Sequence, residues 1–394
     1  MKLDLVILTT RSYDSLPSIL LDAGDFYYLV NCPDFTQRIF QEKGLKIQKI
    51  KHILTTGLHY EACGGLLVMM VGGLTPRNRN YQIHSLPEIK DAIIATPFYN
   101  DCQSILPTIS GDPYQDNYLS FKIIRLPTSA AFDIQLPPTP GPFLSQHAIE
   151  LGVPKGPLFA QLKKGIDVTL PDGTIVKASE CKGPDSPGIS LLIVDCRSQE
   201  DLTFLLSYDI SKYSIIVHFT PPKYLYLPEY ISKFSNISNI ANSGSKFVYN
   251  ICFPPNGEVN YTLFYSLYSK LPPIFGPLSY DFSKEPPNNF VSLLSGDSIQ
   301  IFPHPDLKQG RFKVQRSESF DVKALKLTEL NLPDQKVTCD FPKFKTFYVI
   351  ILGTCARNTT RTRSIPAYLI LTHYGNIALD AGEGFVHQLT RKYG

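Results

Sequence analysis

Residues 149–176, IELGVPKGPLFAQLKKGIDVTLPDGTIV, decide how the rest of the chain is read. Gly152, Pro154, Gly156 and Pro157 fall within six positions, and Lys163, Lys164 and Gly165 follow shortly after. Proline fixes φ and removes a donor, while glycine admits backbone shapes closed to other residues, so this half predicts a shaped, non-repetitive loop. Leu151, Val153, Leu158, Phe159 and Leu162 would anchor it, and Lys155, Lys163 and Lys164 supply charge for which phosphate is the natural partner. The second half, VTLPDGTIV at 168–176, predicts a hairpin: Pro171 presets the turn and Gly173 takes its positive-φ corner. An ordinary surface excursion is the plainer reading of the same residues.

The composition sets bounds on this. The 394 residues are long enough for two ordinary domains, and 43% hydrophobic with 19% charged residues predicts a folded chain. No apolar run of about twenty residues is present, so no membrane partner is expected. A net charge of +3 is too small to announce a nucleic-acid binder, and any such role must come from local patches. The 8 cysteines lie far apart without C-x-x-C spacing, which predicts buried free thiols in a reducing intracellular compartment. The amino-terminal MKLDLVILTT has neither a signal-peptide nor a transit-peptide pattern and reads as a first strand.

Reading outward, LDLVILTT (3–10) and FYYLVNC (26–32) predict strands joined by a turn-rich link. DFTQRIFQEKG (34–44) predicts a helix stopped at Gly44, and KHILTT (51–56) a third strand. The loop GLHYEACGGLL (57–67) follows. In proteins of the metallo-β-lactamase fold, which this order resembles, the loop after such a strand carries H-x-H-x-D-H, whose side chains converge on metal. Here those positions read Gly57, His59, Glu61 and Ala62. One imidazole and one glutamate cannot fill a three- or four-ligand zinc shell, so no metal-ligating and no catalytic residue is expected. The alternative is another hydrolase of this fold that uses His59 and Glu61 as substitute ligands.

LGVPKGPLFAQLKKG followed by VTLPDG resembles the glycine–proline segment of the ribonuclease Z family, endonucleases that trim the 3′ trailer from precursor tRNA. The resemblance implies an α/β metallo-β-lactamase-type αββα sandwich with an inserted tRNA-binding arm at about 137–182. It also implies roles in gripping tRNA for Gly152, Pro154, Lys155, Gly156, Pro157, Lys163, Lys164 and Gly165. The degenerate loop further resembles the amino-terminal half of the long-form group, in which the first half keeps the arm and the second keeps the metal. An internal repeat agrees with this. Ile7-Leu8-Thr9-Thr10 is answered by Ile351-Leu352-Gly353-Thr354, and Asn31-Cys32-Pro33-Asp34 by Asp380-Ala381-Gly382-Glu383, within the DAGEG that ends at Gly384.

On this resemblance residues 1–340 form a metal-less half and 345–394 the start of a catalytic-type half that stops before any H-x-H-x-D-H. Zn2+ belongs to the full-length family and none is expected on this chain. The implied partners are precursor tRNA and the carboxy-terminal catalytic half, in the nucleus or mitochondrion. The chain alone is expected to be inactive, and a stand-alone, non-catalytic tRNA-binding pseudo-nuclease is the alternative.

GISLLIVDC (188–196), DLTFLLSYD (201–209) and YSIIVHFT (213–220) predict three more strands. His218, His304, Asp195 and Asp209 lack metal-ligating or catalytic company nearby in sequence and are expected to be structural. Residues 232–245 read as a polar surface stretch, 78–80 as a loop, 271–343 as irregular, and 327–345 as a linker. Phosphate-binding glycine loops and nucleophile elbows are absent.

Overall fold

Alternation along the first strands sets the layers. In a computed structural model of the chain, Leu3, Leu5 and Ile7 enter one apolar cluster while Leu8 enters another on the opposite face. The structure describes residues 2–12, 15–69, 81–95, 108–110, 113–138, 141–171, 173–183, 185, 188–240, 248–254, 285–303, 314–315, 347–353, 366–372, 375–382, 384–386 and 389.

The elements run β1 (Leu3–Thr9), β2 (Ser18–Asp22), β3 (Tyr27–Val30), α1 (Thr36–Glu42), β4 (Ile50–Leu54), α2 (Tyr60–Cys63), α3 (Leu66–Val68), β5 (Gln82–His84), α4 (Pro87–Ile94), β6 (Thr108–Ser110), β7 (Tyr114–Gln115), β8 (Ser120–Arg125) and β9 (Ala130–Gln135). There follow α5 (Ser145–Glu150), α6 (Pro157–Lys163), β10 (Val168–Thr169), β11 (Ile175–Val176), β12 (Ser190–Val194), α7 (Gln199–Ser207), β13 (Ile215–His218), α8 (Pro222–Leu225), α9 (Pro228–Ile240) and β14 (Tyr249–Cys252). β15 (Phe290–Ser292), β16 (Ser298–Phe302), β17 (Val314–Gln315), β18 (Phe347–Gly353), β19 (Ala367–Thr372) and β20 (Gly375–Leu379) close the order.

Two sheets form the body, one in the order β17-β16-β1-β2-β3-β4-β5-β6 and the other β15-β14-β13-β12-β9-β8-β7. Their facing sides share one core, in which Leu5, Ile19, Tyr28 and Val30 meet Phe132, Ile134, Leu191, Ile193 and Val217. The outer face of the first sheet packs Leu20, Leu29 and Ile53 against Ile39 and Phe40 of α1 and Ile89 and Ile93 of α4. The outer face of the second packs Leu192, Val194 and Ile216 against Leu202 and Leu205 of α7 and Tyr230 and Phe234 of α9. The result is an αββα sandwich. A one-residue slip of β1 would exchange its two faces, and each side chain so misplaced costs roughly 1.5–3 kcal/mol, so the register is tightly held.

Several expectations are corrected. The link between the first two predicted strands contains β2, a continuous SILLD run that is buried on both faces and therefore shows no alternation. Residues 201–207 are not a strand but most of α7. Ser198 caps that helix by accepting the Asp201 N–H at 3.1 Å, and Leu202 and Leu205 form its buried face. Of the polar stretch 232–245, residues 232–240 belong to α9, with Phe234 buried, and 241–245 lie outside the described residues. Within 271–343, β15 and β16 are regular and add to both sheets; 327–345, 78–80 and His304 lie outside the described residues.

β18, β19 and β20 form a separate antiparallel meander, and the turn after it has the backbone plan of the turn after β3. Asn31 and Asp380 are both left-handed (φ 58 and 48), as are Phe35 and Gly384 (φ 68 and 86), both pairs 349 positions apart. The N–H of Thr36 reaches the carbonyl of Pro33 at 3.3 Å and that of Phe385 reaches Gly382 at 3.0 Å, again at the same offset. Pairing of the first two strands shifts between Ile7 and Thr9 in one meander and between Ile351 and Gly353 in the other.

Candidate functional site

The loop at the metal-motif position leaves β4 and turns into α2 at one end of the sandwich. There it meets Arg11 after β1 and Asp195 and Arg197 after β12. Glu61 accepts from Arg11 Nη1 at 2.6 Å and Nη2 at 2.9 Å, and from Arg197 Nη2 at 2.5 Å. Asp195, fully buried, accepts from Arg197 Nε at 2.7 Å and from the Thr56 hydroxyl at 2.7 Å. Asn31 clamps Thr56 from both sides, accepting its N–H at 2.9 Å and donating to its hydroxyl at 3.1 Å.

Burial alone would raise both carboxyl groups. The Arg11 and Arg197 guanidiniums nevertheless hold Glu61 below the usual carboxylate range, and the Arg197 charge with His59 does the same for Asp195. His59 Nε2 sits 3.1 Å from Asp195 Oδ2 but out of hydrogen-bond alignment, and its Nδ1 is buried without a hydrogen-bond partner among the described residues. The imidazole has turned into the space beside Gly57, where a Cβ would lie 3.0 Å from His59 Cδ2. A side chain at 57 would need the His59 ring to shift by a few tenths of an ångström.

This donor set does not fit zinc. Its two carboxylates are already saturated by two guanidiniums, and a dication placed among them would face two like charges with only one imidazole to add. Among the described residues no group of three or more His, Cys, Asp or Glu side chains is placed to hold a metal ion. The reading in which His59 and Glu61 act as substitute ligands therefore finds Glu61 committed to arginine. Chemically the arrangement is an ion-pair cluster that ties β1, α2 and the end of β12 together.

His218 and Asp209 have local partners. His218 is fully buried, with Tyr230 Oη 2.8 Å from Nδ1 and Asn250 Oδ1 3.2 Å from Nε2, and burial pushes it down to about 3. Asp209 accepts the N–H of Ser211 at 3.0 Å in an exposed turn.

The second candidate is the arm. β9 and β12 are antiparallel neighbours, with Gln135 opposite Ser190. The chain between them leaves and returns at one place, closed by the Leu136 N–H on Ile189 O at 2.9 Å. Its stem is held by the Leu144 N–H on Cys181 O and the Gly183 N–H on Pro142 O, both 2.8 Å. Beyond the stem lie α5, α6 and the β10–β11 hairpin, packed on a small core of their own: Ala148, Val153, Leu162, Val168, Leu170, Val176, Ala178 and Cys181.

The hairpin is where the sequence predicts it, with Asp172 outside the described residues. The glycine–proline half is not a non-repetitive loop: residues 157–163 are helical, with Pro157 in the first turn, where its missing N–H has no intrahelical partner to lose. Gly152 and Gly165, both at φ 81, follow the last turns of α5 and α6, so these glycines end helices.

Pro154, Lys155, Gly156, Pro157, Lys163, Lys164 and Gly165 are all exposed. Lys163 and Lys164 line an open pocket of about 460 Å³ with Phe143, Leu162, Asp167 and Lys182. Lys163 Nζ stands 5.4 Å from the centre of the Phe143 ring, and Lys182 pairs with Asp185 at 2.5 Å. Lys155, before α6, is not among the pocket's lining residues. Lys182 was not predicted; the signal was its place opposite Phe143 across the stem, which the sequence does not display. Asp380, Gly382 and Gly384 form the turn after β20, while Glu383 lies outside the described residues.

Residues 6–65 match the family described as tRNase Z endonuclease. The chain is 24% identical over 458 aligned residues to the mitochondrial ribonuclease Z of Drosophila melanogaster, covering 99% of this chain and 58% of that protein. It is 25% identical over 455 residues to zinc phosphodiesterase ELAC protein 2 of Macaca fascicularis, covering 93% of this chain and 54% of that one. Among solved structures, the long-form RNase Z from yeast superposes with a TM-score of 0.64 at 13% identity, over 100% of this chain and 64% of that chain, and so shares its fold. The chain thus spans a little over half the length of these curated relatives.

Proposed function

From its likeness to the long-form ribonuclease Z group, we propose that this chain is the tRNA-gripping portion of a 3′-processing endonuclease. In this reading the arm holds precursor tRNA by its phosphates, and hydrolysis belongs to a zinc-bearing carboxy-terminal half. The observation that carries it is the arm: a self-packed module inserted between two hydrogen-bonded strands, with Lys155, Lys163 and Lys164 exposed and Lys182 beside the last two. Charges so placed meet a sugar–phosphate backbone and read no bases, so binding is salt-sensitive and indifferent to sequence.

The ion-pair cluster supports the same division of labour. Glu61 and Asp195 are engaged by Arg11 and Arg197, so this half neither binds the metal nor activates water. Residues 1–340 then form the arm-bearing half, and 345–394 open the second. The compartment is nuclear or mitochondrial, and no helix among the described residues is long and apolar enough to cross a membrane.

The test is binding of a precursor tRNA across a salt series, with and without Lys155→Ala, Lys163→Ala and Lys164→Ala together. The reading requires binding whose salt dependence weakens in the triple variant. Zinc analysis of the purified chain separates the substitute-ligand hydrolase, which requires one stoichiometric zinc lost on changing His59.

A further inference from the structure

The loop at the metal-motif position is zipped to the turn after β3. Cys32 N–H reaches Ala62 O at 2.7 Å, Gly65 N–H reaches Cys32 O at 2.9 Å, and a Cβ on Gly65 would overlap the carbonyl of Pro33. These contacts hold the two segments against each other. Two side chains of this platform, Asp34 and Tyr60, converge beside it. Asp34 is 9% exposed, and its Oδ1 accepts the Phe35 N–H at 3.1 Å. Its Oδ2 accepts the Tyr60 hydroxyl at 2.9 Å and, from 350 positions further along the chain, the backbone N–H of Gly384 at 2.9 Å. The seat is shaped for glycine alone: residue 384 has φ 86, and a Cβ there would overlap the Phe35 ring.

We propose that Asp34 and Tyr60 form a clasp that seats the turn after β20 on the platform, so that the loop at the metal-motif position serves as a docking surface between the two repeated segments. The two turns that meet are the two repeats of one plan. Phe35 and Gly384 occupy equivalent left-handed positions, and they contact each other. A bulky ring on one side and a bare backbone on the other make the contact one-sided, since two rings would collide and two glycines would leave a gap. The carboxylate then fixes depth, because an anionic acceptor bonds a buried amide more strongly than a neutral one. The clasp stands on these contacts and does not depend on RNA binding.

Hydrogen exchange of the 394-residue chain tests it. In Asp34→Ala, amides in 375–386 are expected to exchange about tenfold faster, while those of β1 and β2 keep their protection. Gly384→Ala should produce the same regional change. Tyr60→Phe, which removes one hydroxyl and leaves the Phe35 N–H bond to Asp34, should produce a smaller change in the same region. If Asp34→Ala unfolds globally, the other two variants decide. Unchanged exchange over 375–386 in Gly384→Ala and Tyr60→Phe, or a rise spread equally over β1 and β2, overturns the clasp.

Discussion

The loop at 57–65 and the arm at 141–183 both carry charge, and they use it in opposite ways. At the loop every charge has a partner: Arg11 and Arg197 close on Glu61, and Arg197 also closes on a fully buried Asp195. On the arm Lys155, Lys163 and Lys164 are exposed, and Lys163 leans on an aromatic ring. The first arrangement spends charge on cohesion, whereas the second leaves it available to an outside anion. Charged residues therefore say little about function until their partners are known. A buried pair is expensive to break and an exposed lysine is not.

The largest test of this contrast is Arg197→Ala. Removing the guanidinium strands a buried carboxylate and should cost about 3–5 kcal/mol, read as a lower urea midpoint at unchanged slope. A loss below about 1 kcal/mol would mean the cluster is not cohesive. Leu162→Ala comes next. It empties a buried position in the arm's own core and should cost about 2–5 kcal/mol within the arm. Because that core is separate from the two-sheet core, limited proteolysis should open the arm while the urea transition of the body stays put.

The pH dependence follows from buried histidines. Burial pushes His52 down to about 4, and His84 and His218 to about 3, from 6.5. The unfolded chain therefore binds more protons, so stability is complete above about pH 6.5 and falls as pH drops from there toward 4. Glu61 and Asp195, held low by arginine, add to the fall below their unfolded values near pH 4. A urea midpoint that rises between pH 6.5 and 5 would contradict this. The smallest stability effect is that of the three arm lysines changed together to alanine, within about 0.5 kcal/mol, because they are exposed.

Much of the fold is legible in the sequence, in the parts where local pattern decides. β1, β3, β4 and α1 follow from apolar period and Gly44. The hairpin follows from Pro171 and Gly173. β2 was hidden because a strand buried on both faces does not alternate. Residues 201–209 read as a strand because LTFLL suits either period, and the deciding mark is Ser198 three positions before Asp201. α6 was hidden by its prolines and glycines, which punctuate a helix as readily as a loop. The cluster itself was beyond reach: Glu61 lies 50 and 136 positions from its two arginines, and no local pattern encodes such pairings.

The measurement that bears most directly on the account is precursor-tRNA affinity across a salt series for the native chain and for the variant lacking Lys155, Lys163 and Lys164. The account predicts that the native chain binds and that the slope of log affinity against log salt shrinks by about 2 to 3 in the variant, one counterion for each phosphate no longer met. Absence of binding, or a slope unchanged by removing all three lysines, would contradict it.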